Sequence, residues 1–244
     1  MIVAAQQPYF APYPGFFLKA FLADTVVIMD RVQLPLKSTW ITRNRFKNSE
    51  GMLWLKVPVW KKGLGLQTIS DVRICDERGW RRKHIEGLEA AYGNAPFFKD
   101  HLPFLEALYS ECHERLCELN LKIIRYLFGC LGIKAQLRLL SEMEVDAKEP
   151  LVSVEIARSC GASHFLAQSS ARNFLDKKAF RQSGIELVFF TRRPVPYPQL
   201  WAGGFFRNLS VFDLLFNCGP KAPEIIMKEL SKRDRRLIEF LGRT

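Results

Sequence analysis

Residues 2–29 read IVAAQQPYFAPYPGFFLKAFLADTVVIM. An apolar run at 2–5 is followed by a loop rich in proline and tyrosine at 6–15. The next residues predict an apolar helix over 16–22, and 25–29 is typical of a buried strand. Strand, loop, helix and strand in this order form a βαβ unit, whose crossover joins two parallel strands in a right-handed sense. The sequence therefore predicts an α/β protein built on a parallel sheet.

The same alternation returns in the second half of the chain. Three strands and two helices are predicted there, with the strands at 135–140, 164–167 and 185–190 and the helices at 151–159 and 175–182. We expect both regions to share one Rossmann-like sheet within a single α/β domain, 1–244.

The middle of the chain follows a different pattern. Strands are predicted at 53–59 and 67–75, and helices at 80–92, 102–109 and 114–131. We interpret 80–133 as a helical insertion over the carboxyl ends of the strands, where such sheets bind ligands. A last helix over 222–230 would begin a basic segment, 221–244.

Composition excludes several classes of protein. The 244 residues are 48% hydrophobic and 25% charged, which is an ordinary globular balance. There is no apolar run of about 18 residues that could span a membrane, and no signal-peptide pattern. The six cysteines have no zinc-type spacing, so we expect neither a metal site nor disulfides. We expect a cytoplasmic protein, and a peripheral contact with the inner membrane is compatible with this composition.

The net charge of +11 indicates an anionic partner. Phosphorylated small molecules, nucleic acid and acidic lipids all fit, and the basic tail could be a solvated face or a weak binding patch. The sequence has no P-loop, GxGxxG, GxSxG or HExxH motif.

The first loop is a candidate ligand site. Gln7 and Tyr9 could line it, and Gly15 would let a ligand approach the amino terminus of the following helix. The alternative is a stiff turn that only packs aromatic side chains.

A second candidate is the segment 42–47. On a strand, Arg43, Arg45 and Lys47 would share one face, where the guanidinium groups suit phosphate. The alternative is an edge strand protected by charge.

Three further features carry polar chemistry. His84, four residues after Trp80 on a helix, could act as a general base or be structural. Ser169 and Ser170 follow a strand and could bind phosphate or ribose, or cap a helix. Four polar residues interrupt an apolar helix at 208–217 and need either a ligand or loop carbonyls as partners: Asn208, Ser210, Asp213 and Asn217.

Together these landmarks resemble the WbqC-like family of bacteria, from Val3 to Pro220. The resemblance rests on ordered motifs at 7–9, 14–17, 23–24, 30–33, 43–47, 54–59, 80–84, 197–199 and 209–220. Many family members have a histidine where this chain has Gln6. A looser resemblance links the first βαβ unit to the nucleotidylyltransferase and pantothenate-synthetase (HUP-like) superfamily, although both histidines of its HxGH signature are missing here.

The family resemblance implies a role in surface polysaccharide (O-antigen) biosynthesis. The favoured reaction is amide formation between a nucleotide-linked amino sugar and a small acyl or aminoacyl group such as glycine, by a transferase or ligase. ATP with magnesium, or an acyl thioester, would supply activation. His84 or Asp30 would move the proton, and the resemblance adds four residues to the binding set: Pro8, Gln33, Asn44 and Gln199.

Two alternatives stay open at this point. The chain could be a nucleotidyl- or glycosyltransferase of the same fold, or a non-enzymatic binder of nucleic acid or anionic membrane. Nucleic acid is the less favoured partner, and a homodimer is one option for the assembly.

Overall fold

The computed structural model describes residues 1–35, 39–147, 150–231, 234–235 and 239, with the backbone alone at Arg78. The strands are β1 (Ile2–Gln6), β2 (Thr25–Ile28), β3 (Arg43–Asn48), β4 (Gly51–Lys56), β5 (Gln136–Leu139), β6 (His164–Gln168) and β7 (Glu186–Phe190). The helices are α1 (Pro14–Leu22), α2 (Trp80–Tyr92), α3 (Phe98–Ser110), α4 (Leu116–Leu131), α5 (Val152–Ser159), α6 (Lys177–Gln182), α7 (Val211–Cys218) and α8 (Ala222–Lys228).

Five of the strands form one parallel sheet in the order β5-β2-β1-β6-β7. The prediction of a Rossmann-like α/β fold is confirmed. The chain builds the sheet outward from β1 in one direction, then returns and continues from β6 in the other. The carboxyl ends of β1 and β6 therefore form the topological switch point, where sheets of this type bind ligands.

Helices cover both faces of the sheet because its strands are apolar on both sides. Ile2 and Ala4 belong to a core shared with α1, α4, α7 and α8, whereas Val3 belongs to a second core with α5 and α6. The period-two alternation of side chains along β1 thus separates two layers of packing. The two layers of helices leave the ends of the strands uncovered.

The segment between β2 and α2 forms a separate two-stranded hairpin. β3 pairs antiparallel with β4, from Arg43 opposite Lys56 to Asn48 opposite Gly51. The prediction of a strand at 67–75 is wrong. A 3₁₀ turn at Ile69–Asp71 interrupts it, and only isolated bridges form, including Val59 with Ile74. The turn buries Ile69 in the core, so local packing replaces strand pairing.

Each of the three middle helices packs against another element. α2 contacts β3, and α3 contacts α7. α4 lies beside α1, where the rings of Phe17 and Phe128 meet edge to face at 6.2 Å. α4 also leads directly into β5, so it serves as the crossover helix between β2 and β5. The division of 80–133 from the rest of the domain stays a prediction.

No helix in the described part of the chain is long and apolar enough to cross a bilayer. α8 ends at Lys228, earlier than the helix predicted over 222–230. Most of the predicted basic tail beyond it, 232–233, 236–238 and 240–244, lies outside the described residues.

Candidate functional site

A pocket of about 220 Å³ opens at the switch point of the sheet. Gln168 ends β6, Tyr9 and Tyr13 lie in the loop after β1, and Arg192 follows β7. The complete lining is Tyr9, Tyr13, Trp40, Arg45, Gln168, Arg192 and Asn208. The sequence predicted three of these residues, Tyr9, Arg45 and Asn208. It does not indicate the other four, although Gln168 and Arg192 lie one and two residues after predicted strands, which is where such sheets place ligand contacts.

Arg45 brings an uncompensated positive charge to this pocket. Its Nη2 donates to the backbone oxygens of Arg207 at 3.3 Å and Asn208 at 3.1 Å. Its Nε is buried without a hydrogen-bond partner, and burial lowers the pKa of the guanidinium. Within the described residues, no ion pair joins Arg45 to a carboxylate. A half-buried cation whose Nε has no hydrogen-bond partner favours an anionic ligand.

Arg192 is balanced by contrast. Its Nη1 pairs with Glu229 at 2.7 Å, and its Nη2 bonds the side-chain oxygen of Asn208. The guanidinium lies 4.7 Å from the ring of Tyr13. Arg192 therefore shapes the wall of the pocket while its charge is largely neutralised by Glu229.

Gly15 has a different neighbour from the expected ligand. A Cβ at this position would overlap both the Arg192 side chain and the Tyr13 ring. Gln168 Nε2 donates to the Gly15 oxygen at 3.1 Å. In this structure the group that approaches the amino terminus of α1 is thus the Arg192 side chain, and the absence of a Cβ makes room for it.

Aromatic rings flank the arginines on the outer side. Trp40 and Trp54 stack at 5.8 Å, and they remain 38% and 41% exposed. The guanidinium of Arg45 lies 5.2 Å from the Trp40 ring, and that of Arg43 lies 4.3 Å from the Trp54 ring. These flat surfaces and cations form one continuous patch beside the pocket, which suits a planar group attached to an anion.

Tyr9 at the pocket remains neutral at ordinary pH. Burial, reinforced by Tyr13, raises the pKa of Tyr9 to about 12. The phenol of Tyr9 is therefore available as a hydrogen-bond donor rather than as a base.

Lys47 lies away from the ligand-facing surface. It is 1% exposed, and its Nζ donates to the oxygens of Trp201 at 2.9 Å and Gly204 at 2.8 Å. The lysine thus anchors the loop before α7. Of the three predicted cations, only Arg43 and Arg45 face the aromatic patch.

Two buried asparagines shape the first loop. Asn44 Nδ2 donates to the oxygens of Phe10 at 3.1 Å and Ala11 at 2.6 Å. Asn120 Nδ2 donates to Pro8 O at 2.8 Å. Ala11 has a positive φ of 41°, a strained conformation that these bonds stabilise. The backbone carbonyl oxygen of Gln7 accepts from Tyr9 N at 2.9 Å within the loop.

The polar residues of α7 have partners inside the protein. Asp213 is fully buried and accepts from the hydroxyls of Tyr92 and Tyr197, both at 2.7 Å. Burial raises the pKa of its carboxyl, although these hydrogen bonds oppose the shift. Asn217 Oδ1 accepts from Leu200 N at 2.9 Å. The partners of Asp213 and Asn217 are thus tyrosine hydroxyls, a loop N–H and a carbonyl of α7 itself, not the loop carbonyls suggested by the sequence.

Two more predicted residues support the same loop. Gln199 binds Phe206 through both its amide nitrogen and its oxygen, each at 2.9 Å. Ser210 caps α7 by accepting from Phe212 N at 3.3 Å, so the helix begins at Val211 rather than at 208. These bonds position Asn208 at the pocket.

His84 is buried away from the pocket. Its Nδ1 meets the Tyr109 hydroxyl at 3.1 Å, and its Nε2 meets the Lys56 oxygen at 3.2 Å. Burial lowers its pKa to about 4, although the bond to Lys56 opposes the shift. The base predicted for neutral pH therefore has its nitrogens engaged and its pKa outside that range.

The remaining predicted residues do not line the pocket. Asp30 accepts from Ser141 N at 3.0 Å beside β5, and exposed Gln33 bridges to Thr68. Ser169 Oγ donates to Phe190 O at 3.1 Å, and Ser170 is exposed. Their roles stay predictions.

Lys19 was not singled out from the sequence. It is 8% exposed on α1, and its Nζ donates to Ala5 O at 3.0 Å and Gln6 Oε1 at 2.6 Å. Burial lowers its pKa to about 8. An apolar helix gives no local sign that its one lysine turns inward to the end of β1.

The WbqC-like protein family matches residues 7–225. A protein of Mycobacterium tuberculosis described as uncharacterized is 31% identical over 226 residues, which cover 92% of this chain and 96% of that protein. No solved structure matches the chain.

Proposed function

The chain belongs to the WbqC-like protein family, and from this premise we propose that it modifies a nucleotide-linked amino sugar for bacterial surface polysaccharide (O-antigen) biosynthesis. The proposed enzyme is a transferase or ligase that joins the sugar amine to a small acyl or aminoacyl group such as glycine. The polysaccharide context and the amide product derive from the family resemblance. The pocket supports the nucleotide-linked part of the substrate.

The supporting observation is Arg45, which lies in a pocket at the switch point of the sheet, has a buried Nε without a hydrogen-bond partner, and pairs with no carboxylate among the residues that the structure describes. A phosphate oxygen would supply both the missing charge and an acceptor for its N–H groups. Gln168 and the Tyr9 hydroxyl could add neutral hydrogen bonds from the other wall.

The size of the pocket limits what it can hold. Its volume of about 220 Å³ is below the roughly 300–1,000 Å³ of pockets that enclose whole drug-sized ligands. We therefore place the phosphates inside it and a flat base over the exposed Trp40–Trp54 pair, where stacking on tryptophan is favourable.

In the proposed reaction, the sugar nitrogen attacks an activated carbonyl carbon and loses one proton. The bond from that carbon to its activating group breaks, releasing a thiolate from a thioester or AMP from an acyl adenylate, and the proton from the amine passes to that leaving group or to water. ATP with magnesium, or an acyl thioester, would supply the activation.

Ligand-induced stabilisation tests the binding step. We expect a saturable rise in melting temperature with one member of a panel of nucleoside-diphosphate amino sugars, measured at two salt concentrations. Arg45→Gln should weaken this binding by about tenfold or more, since it removes a charge-assisted contact. Arg193→Gln is the matched control because it removes the same charge from an exposed side chain outside the pocket.

Three results would contradict the proposal. One is a wild-type protein that no nucleotide sugar stabilises. Another is equal loss of binding in both variants. The third is stabilisation by DNA or RNA alone that disappears at high salt, which would favour the nucleic-acid alternative. Mass spectrometry of the sugar after incubation with glycine and ATP, or with acyl-CoA, distinguishes amide formation from nucleotidyl or glycosyl transfer.

A further inference from the structure

A short loop exposes apolar side chains to water at the end of the hairpin region. It reads Trp-Lys-Lys-Gly-Leu-Gly-Leu over 60–66, and all seven residues are exposed. Trp60 is 46% exposed, Leu64 49% and Leu66 68%. We call this segment the 60–66 loop. Neighbouring exposed apolar side chains of this size are a feature of interaction sites.

The loop is fixed at its base and free at its tip. At the base, Gln67 Nε2 donates to Trp60 O at 3.2 Å, and Trp60 N donates to Arg73 O at 3.0 Å. At the tip, Gly63 and Gly65 have positive φ, and a Cβ at either position would meet nothing within 4 Å. The apolar tip is thus held outward by an ordered base.

Lysines lie within and beside this loop. Lys61 and Lys62 lie within the loop, and Lys56 is close enough to Lys61 to lower its pKa, after burial as the larger cause. Among the ion pairs of the described residues, none involves these three lysines. The loop therefore combines apolar side chains with uncompensated positive charge, in a chain of net charge +11.

We propose that the 60–66 loop docks the protein on an anionic lipid bilayer. Leu64, Leu66 and the ring of Trp60 enter the boundary between headgroups and acyl chains, and the lysines contact the lipid phosphates. Tryptophan is favoured at that boundary, and lysines near an anionic surface strengthen apolar insertion. A nucleic acid would satisfy the lysines but would leave both leucines in water, so the leucines favour a membrane.

Co-sedimentation of the full chain with vesicles tests this surface. We expect binding to vesicles of phosphatidylglycerol mixed with phosphatidylcholine, and much weaker binding to phosphatidylcholine alone. The double substitution Leu64→Ser and Leu66→Ser should lower the partition coefficient by about tenfold or more, since it removes the inserted apolar area. Leu151→Ser and Phe174→Ser, made together, are the control because both are exposed apolar residues outside the loop.

Two charge-removing double variants distinguish the effect of the loop lysines from the effect of the net charge of the chain. Lys61→Gln with Lys62→Gln should lower binding by about tenfold, because each lysine near the surface adds attraction. Lys177→Gln with Lys178→Gln removes the same charge from exposed positions on α6 and should leave binding nearly unchanged. The blue shift of tryptophan emission on vesicle binding should disappear in Trp60→Phe.

The proposal is overturned if wild-type protein does not bind anionic vesicles at low salt. It is also overturned if the leucine variants bind like wild type while salt abolishes all binding, since that result indicates adsorption by charge alone. The nucleotide-sugar proposal is independent of this outcome, because Arg45→Gln should still bind vesicles.

Discussion

His84 is a buried histidine whose protonation is suppressed by the fold. Its pKa falls from 6.5 to about 4 because burial penalises the imidazolium. As pH falls from about 6.5 to 4, His84 is protonated in the unfolded chain but stays largely neutral in the folded chain. The stability contributed by neutral His84 is therefore complete above pH 6.5 and is lost as the solution is acidified, by about 3 kcal/mol at pH 4.

Urea unfolding between pH 7 and pH 4.5 measures this effect. The free energy of unfolding of wild type should decrease more steeply with falling pH than that of His84→Gln, which cannot titrate. The slopes are compared, so any constant destabilisation of the variant cancels. Equal slopes would show that His84 protonates freely in the folded state, and would restore it as a candidate base for neutral pH.

At the same scale, the sequence indicates which side chains could form a site, but not which of them form hydrogen bonds inside the protein instead. Arg45 and Lys47 share one face by strand periodicity. The Lys47 ammonium donates to backbone oxygens of the loop at 201–204, more than 150 residues away in sequence, whereas Arg45 lines the pocket. Partners at such separation in sequence have no local pattern.

At the scale of elements, α7 positions the pocket through its polar side. Asn217 Nδ2 donates to Asp213 O at 2.7 Å, and its Oδ1 accepts from Leu200 N at 2.9 Å. Asn217→Ala should therefore lower the free energy of unfolding by about 1–3 kcal/mol, because a backbone N–H loses its partner. It should also speed proteolytic cleavage within 194–206.

Asn173→Ala is the control for that variant. Asn173 is exposed and lies outside the described hydrogen bonds of this loop, so its removal should change stability by no more than about 0.5 kcal/mol. Limited proteolysis with mass mapping reads out the loop directly. Unchanged cleavage in Asn217→Ala would mean that the 194–206 segment is held by other contacts, such as those of Lys47.

The elements themselves were largely predictable, and their ends were less so. The apolar runs at 2–5 and 25–29 form β1 and β2, and the apolar segment between them forms α1. These elements could be predicted because buried strands and helices have strong local patterns of apolar residues. The segment 67–75 also alternates, yet it folds around the Ile69–Asp71 turn. There the burial of Ile69 and Val72 outweighs strand pairing.

At the scale of the whole molecule, one core joins the sheet to the middle helices. Leu166 on β6 and Leu127 on α4 are both fully buried in the same apolar cluster, which also contains Phe17 and Phe128. Because this contact is continuous, the sheet and the 80–133 segment should unfold together. Leu127→Ala and Leu166→Ala should each destabilise the protein by about 2–5 kcal/mol.

Two-state unfolding is usual for single domains shorter than about 150 residues, so it has to be tested for this chain of 244 residues. The test is whether two spectroscopic probes give the same unfolding midpoint. Far-UV circular dichroism and tryptophan fluorescence should give the same urea midpoint in wild type, and both midpoints should shift together in either variant. Leu151→Ala, at a residue 46% exposed, should leave the midpoint nearly unchanged. If Leu127→Ala separated the two probes, 80–133 would be an independently unfolding unit. The first loop of the pocket is bonded through Pro8 O to Asn120 of α4, so ligand-induced stabilisation should then be lost when the helices open.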